Sequence, residues 1–212
     1  MLTEKYDFRI TDQMTIPLRP HWIANDSYRE KCKMLVLNRS KGEIHKVDFS
    51  KVTDYIKEGD VICFNDSTII NHMFICKTRR NRLIKIVLEG FLPNNRVIIS
   101  GLINTAKQNG GRIFAVGTTV TRCLESAYSR EHNCLKASSG WTALYIHPGY
   151  QLKVVDCLLT NLHQPKTTHM VLTGQFAGVD LLMKAYASEH IQSCKFDMFG
   201  DCMLIIQDEG QG

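Results

Sequence analysis

Two stretches of this chain put hydrogen-bonding and proton-moving side chains where a strand passes into a helix. The first is Ile113-Phe-Ala-Val-Gly-Thr-Thr-Val-Thr-Arg-Cys-Leu-Glu-Ser126. Ile113 to Val116 reads as a buried parallel strand, Gly117 permits a sharp turn, and Thr118 or Thr119 can cap the helix that follows. The N–H groups of that first helical turn point outward and favour carboxylate, phosphate or ribose oxygens. Taken alone, the same pattern is also the ordinary joint of an α/β domain. The second stretch is Thr160-Asn-Leu-His-Gln-Pro-Lys-Thr-Thr168. His163 follows a strand-like run, Pro165 stiffens the chain, and Thr167 or Thr168 can cap the next helix. An imidazole so placed suits proton transfer near neutral pH, although a lone loop histidine is more often a plain hydrogen-bonding residue.

Further polar residues have two readings each. Asn65-Asp66 ends the apolar run Val61-Ile-Cys-Phe64 and is by itself a common turn pair. Arg122 and Glu125, one helical turn apart, are spaced to pair with each other, or the Arg122 guanidinium fork anchors a carboxylate. Tyr150, after the tight turn His147-Pro-Gly149, offers a ring for stacking a purine or is simply a core aromatic. Lys77-Thr-Arg-Arg-Asn-Arg-Leu-Ile-Lys85 holds Lys77, Arg79, Arg80 and Arg82, enough charge to meet a phosphate backbone or to solvate a hairpin. Asp201, after Gly200 at a strand start, suggests a loop carboxylate near the same cleft.

These motifs need a scaffold that gathers them, and the patterning supplies one. Residues 1–30 are weakly patterned and are expected to wrap the surface. Met34–Leu37 reads as a strand, Phe49–Ile56 as a short helix, Val61–Phe64 as a buried strand, and Met73–Leu88 as a hairpin, with Arg96–Ile99 another strand. From Leu102 the order is helix, strand (113–116), helix (120–128), strands (143–146 and 157–160), helices (168–176 and 181–189) and strand (203–206). That alternation predicts an α/β domain with a mixed sheet, whose ligands sit beyond the carboxyl ends of the strands. Asn65-Asp66, Gly117–Thr119 and Asn161–Pro165 are then expected to converge on one crevice.

Bulk properties set the outer bounds. A chain of 212 residues with 44% hydrophobic content can bury a sizeable core. No apolar run approaches the roughly 20 residues that span a bilayer, and the charged N-terminus lacks a signal-peptide core, so a cytoplasmic protein with no membrane partner is expected. The net charge is +5. Eight cysteines without a C-x-x-C read as reduced core thiols, and the histidines show no ligand spacing, so no metal site is expected. No G-x-G-x-x-G, Walker or G-x-S-x-G motif is present, which leaves nicotinamide, flavin and P-loop chemistry without support.

GTTVTRCLESA resembles the GTTSVRSLESA segment of the S-adenosylmethionine:tRNA ribosyltransferase-isomerases of queuosine biosynthesis. Three further blocks match that family in order: GDVICFNDSTIINHMF (Gly59 to Phe74), IHPGYQLKVVDCLLTNLHQPKTTHMVLTGQFAG (Ile146 to Gly178) and FGDCMLII (Phe199 to Ile206). The family's TNFHLPxST block stands here with Leu162 for its phenylalanine and Gln164 for its leucine. One departure is larger. After Arg96–Ser100 the family continues through a small β-barrel domain and blocks reading roughly PTAGLHF and HVGxGTF, whereas here Ser100 runs almost directly into the helix before the GTT turn.

The resemblance implies an α/β domain made of residues 1–72 and 101–212, with a reduced β-hairpin or barrel remnant at 73–100. It implies transfer of the ribosyl part of S-adenosylmethionine, as donor substrate, to the 7-aminomethyl-7-deazaguanine base of tRNA, giving epoxyqueuosine. In that reading His163 and Asp66 are catalytic; Gly117, Thr118, Thr119, Arg122, Tyr150 and Asn161 hold the donor, with Arg122 on its methionine carboxylate; and Lys77, Arg79, Arg80 and Arg82 meet tRNA. The absent central blocks open two alternatives: a module that binds the nucleoside without catalysis, or a transferase acting on a small acceptor.

Overall fold

The structure is a computed structural model that describes Met14 and residues 22–24, 32–65, 73–77, 83–87, 100–136, 138 and 140–207, with 73–77, 83–87 and Ser100 described by backbone alone. Six strands form one mixed sheet: β1 (Lys33–Asn38), β2 (Glu43–Asp48), β3 (Val61–Cys63), β6 (Ile113–Val116), β9 (Cys157–Asn161) and β10 (Cys202–Ile206), in the order β2-β1-β10-β9-β6-β3. Strands β4 (Met73–Lys77) and β5 (Leu83–Val87) pair antiparallel as a separate hairpin, and β7 (Tyr128–Ser129) and β8 (Cys134–Leu135) make a second small one. The expected strand at 96–99 lies outside the described residues.

The inner strands are apolar over most of their length because both faces of the sheet are covered. On one face Leu35, Leu37, Ile113, Ala115, Leu158, Met203 and Ile205 meet α1 (Ser100–Gln108), α2 (Thr118–Ser126), α3 (Thr168–Ala177) and α4 (Val179–Ala187). On the other, Met34, Val36, Phe114, Leu204 and Ile206 alternate with them and meet Val52, Tyr55 and Ile56 of the 3-10 helix Phe49–Tyr55 and its exit. Helix α3 is buried on most sides, so it is the central helix of its layer. The N-terminal stretch departs from its expected surface course where it is described. Met14 is fully buried, Trp22 stacks on Phe196 with ring centroids 5.8 Å apart, and Ile23 bridges to Phe196. Among the described residues seven cysteines are free thiols, four of them buried.

Strand direction decides where the loops go. β3, β6 and β9 run parallel, β10 runs against β9, and β1 runs with β10. The ends of β3, β6 and β9 therefore leave the sheet on one edge, together with the beginnings of β10 and β1. The opposite edge is tied by Arg112 and Asp60, whose Nη2 and Oδ2 lie 2.7 Å apart with both side chains nearly buried, and by Asp156, which accepts from the Ile113 N–H at 2.8 Å and Lys107 Nζ at 2.6 Å.

Residues 143–146, expected as a strand, form none. Their apolar run finds no ladder partner: Arg122 Nε donates to the Leu144 carbonyl at 3.0 Å and Nη2 to the Thr142 carbonyl at 3.2 Å, so a side chain takes the carbonyls a neighbouring strand would have used.

Candidate functional site

Gly117 makes the turn from β6 into α2. Its φ of 94° and ψ of 152° belong to a region open essentially to glycine alone, and it occupies the N-cap itself, with no side-chain cap bond. Helix α2 thus begins at Thr118, two residues earlier than expected, and neither Thr118 nor Thr119 caps it. Both threonines sit in the first turn, where N–H groups have no acceptor inside the helix. The joint from β9 into α3 is built differently. Thr167 is the N-cap, its Oγ1 accepting from the Met170 N–H at 3.2 Å and donating to the Gln164 carbonyl at 2.8 Å, a cap of about 1 kcal/mol.

These two helix starts meet around a cavity of about 240 Å³. Helix α2 contributes Thr118, Thr119 and Arg122; α3 contributes Thr168, His169 and Leu172; residues 143–146 close the third side. The wall carries a guanidinium, an imidazole, threonine hydroxyls and Tyr145, and among the described residues it carries no carboxylate. Two helix N-termini and an arginine make it an anion-favouring hollow. Arg122 spends one N–H of Nε and one of Nη2 on carbonyls, so its head is held in place while its other donors remain for a ligand.

Arg122 does not pair with Glu125. The Glu125 side chain turns inward, is 4% exposed, and accepts the N–H groups of Lys153 (2.9 Å), Val154 (2.9 Å) and Val155 (3.0 Å). Tyr150 also turns to this carboxylate, with its hydroxyl donating to Oε2 at 3.4 Å. Burial first, then the Glu125 charge, pushes the phenol up to about 12. Tyr150 accordingly packs on the core and does not line the cavity, which leaves Tyr145 as the tyrosine in its wall.

His163 stands one layer back. Its ring stacks on that of His169 with centroids 5.1 Å apart and 29° between planes, and its Nε2 lies 2.8 Å from Thr160 Oγ1. The fully buried Tyr186 hydroxyl clamps its backbone, accepting the His163 N–H at 3.1 Å and donating to the His163 carbonyl at 3.0 Å. Burial, with the neighbouring His169 second, lowers the His163 imidazole to about 4. It is neutral at neutral pH and a weak proton acceptor.

Asn161 is the last residue of β9, paired with Cys202, and is not part of the cavity wall. Asn65 leaves β3 on the same edge of the sheet without reaching the wall, and Asp66 lies outside the described residues. Lys77 is described only as backbone of β4, and Arg79, Arg80 and Arg82 lie outside the described residues. Asp201 is on the expected edge but is spent on structure. Its carboxylate accepts the Lys33 N–H at 2.6 Å and the Lys195 N–H at 2.7 Å, joining β1 to the loop before β10. Among the described residues no group of three or more His, Cys, Asp or Glu side chains could hold a metal ion, and no helix is long and apolar enough to cross a membrane.

The family model described as queuosine biosynthesis protein matches residues 3–101 and 98–205. The chain belongs to this family. The two matched pieces overlap at residues 98–101. Relatives of the family named S-adenosylmethionine:tRNA ribosyltransferase-isomerase include those of Natranaerobius thermophilus, 48% identical over 103 residues, and Halothermothrix orenii, 49% identical over 104 residues. That of Symbiobacterium thermophilum is 45% identical over 104 residues. Each match spans 49% of this chain and 30% of the relative's length. The crystal structure titled S-adenosylmethionine tRNA ribosyltransferase from Thermotoga maritima shares the fold, with a TM-score of 0.71 at 21% identity, over 92% of this chain and 100% of that chain.

His169 and Tyr145 were not singled out by sequence as site residues, and Thr168 only as a helix cap, although all three help to build the cavity.

Proposed function

We propose that the chain binds S-adenosylmethionine at this cavity and transfers its ribosyl part to the 7-aminomethyl-7-deazaguanine base of tRNA, forming epoxyqueuosine and releasing methionine and adenine. The observation that carries the reading is the meeting of Thr118, Thr119 and Arg122 with the β9–α3 joint in one hollow. Arg122 and the first turn of α2 take the methionine carboxylate, a group that suits a guanidinium fork and unpaired N–H donors together. A hollow of about 240 Å³ is below the range usual for a whole drug-sized ligand and fits one end of the donor. The nucleoside end then extends past Tyr145, toward the edge where Asn65 and Asn161 leave the sheet. Lys77, Arg79, Arg80 and Arg82 meet the tRNA backbone in this reading. Such chemistry belongs to the cytoplasm, where its donor and tRNA are found together.

The missing central blocks favour a second reading, in which the cavity holds the same nucleoside without turnover. Incubating the protein with labelled S-adenosylmethionine and unmodified acceptor tRNA separates the two. Adenine and methionine released in a tRNA-dependent manner are expected. Binding without release would establish the non-catalytic module, and release independent of tRNA a transferase for a small acceptor.

A further inference from the structure

His163 is the histidine that sequence reasoning puts forward as a base, yet its surroundings suit a different task. Its Nε2 is engaged by Thr160, its backbone is clamped by Tyr186, and it is absent from the cavity wall. His169 is exposed, stands in the first turn of α3 and faces the cavity. The two rings lie 5.1 Å apart with 29° between their planes, so the His163 ring backs the His169 ring on the side away from the cavity. A ring held from below by a neutral aromatic partner keeps one orientation, which is what a proton acceptor requires.

We infer that His169 is the residue that accepts a proton from a ligand in this cavity, and that His163 is a positioning residue acting through the stack. The inference rests on the proposed binding of S-adenosylmethionine. In that ligand the acidic carbon lies between the ribose and the positive sulfur. The C–H bond there breaks, its proton forms an N–H bond on a ring nitrogen of His169, and the electron pair stays on the carbon beside the sulfonium. The ring becomes imidazolium and returns the proton when the step reverses. This partial reaction needs no tRNA and no co-reactant.

The test follows deuterium entering that carbon. Wild-type protein and the variants His169→Asn, His163→Ala and His163→Phe are incubated with S-adenosylmethionine alone in D2O, the nucleoside is analysed by mass spectrometry, and binding is measured separately by calorimetry. His169→Asn is expected to bind within a few-fold of wild type and to exchange at least about 100-fold more slowly. His163→Phe keeps a flat ring under His169 and cannot accept a proton, so it is expected to retain exchange within a few-fold while His163→Ala loses it. Ethoxyformylation mapped by peptide mass, which needs no ligand, should modify His169 well before His163. Failure of the wild type to bind S-adenosylmethionine overturns the functional reading and this inference with it. Binding without exchange, exchange unchanged in His169→Asn, a His163→Phe protein as inactive as His163→Ala, or His163 modified as fast as His169 overturns the inference alone.

Discussion

Glu125 is the side chain whose removal should disturb the cavity's framework most. Its Oε1 accepts two N–H groups, those of Val154 and Val155, and its Oε2 accepts a third from Lys153. Val154 and Val155 are 3% and 2% exposed, so water cannot readily replace the acceptor there. Each N–H left without a partner costs about 1–3 kcal/mol. At the low end of that range Glu125→Ala loses about 3 kcal/mol, which for a chain of this size lowers the melting midpoint by about 6–12 °C. Glu125→Gln separates the contributions. Its amide oxygen can still serve Val154 and Val155, while its NH2 group meets the Lys153 N–H donor to donor, so one bond is lost and the midpoint falls by about 2–4 °C. Differential scanning calorimetry at neutral pH reads both. A Glu125→Ala protein melting within about 2 °C of wild type, or a Gln variant no more stable than the Ala variant, would refute the reasoning.

Three other outcomes follow from the same structure. The folded-state imidazole of His163 titrates near 4 against an ordinary value of 6.5, so the stability of the neutral buried ring is complete above about pH 6.5. It is lost as the pH falls towards 4, by about 3 kcal/mol, and denaturant midpoints of His163→Phe should be flatter than wild type across that window. Burial opposes the ionised Asp60 carboxylate, but the hydrogen bonds from Arg112 and Lys57 and the Arg112 charge outweigh it and hold the group below its ordinary value. Asp60→Asn should therefore cost about 3 kcal/mol at pH 7, with the gap to wild type closing only as the pH falls below the ordinary carboxylate range and the native carboxyl takes up its proton. Gly117→Ala forces a side chain into a backbone region reserved for glycine, costs about 1–3 kcal/mol, and shifts the first turn of α2, so urea midpoints and nucleoside affinity should fall together.

What could be read from sequence was local, and what could not was the product of distant neighbours. The β6–Gly117–α2 joint and the cap of α3 at Thr167 were legible because apolar runs, a glycine and a β-hydroxyl residue specify them within a few residues. The mixed sheet followed from the order of such runs. The 143–146 segment looked like a strand on side-chain type alone, but strand formation needs a ladder partner, and Arg122 took the Leu144 carbonyl and that of Thr142 just before the run. Arg122 and Glu125 had the spacing of a helical pair, yet a buried carboxylate is better satisfied by three backbone N–H groups nearly thirty residues away. His169 stayed hidden because α3 is apolar on most sides, so no periodicity marks the face that opens to the cavity. Asp201 was placed on the right edge of the sheet, but nothing local showed that two backbone donors would occupy it.

The central claim is that a sulfonium nucleoside binds between the starts of α2 and α3. Calorimetric titration of S-adenosylmethionine into the wild-type protein, an Arg122→Met variant and a Lys153→Ala variant tests it directly, because Lys153 lines a different hollow of about 290 Å³ beside α1. One site per chain is expected, weakened at least about tenfold by Arg122→Met, in keeping with a lost charge-assisted contact, and left unchanged by Lys153→Ala. No binding to the wild type, or equal binding by Arg122→Met, would contradict it.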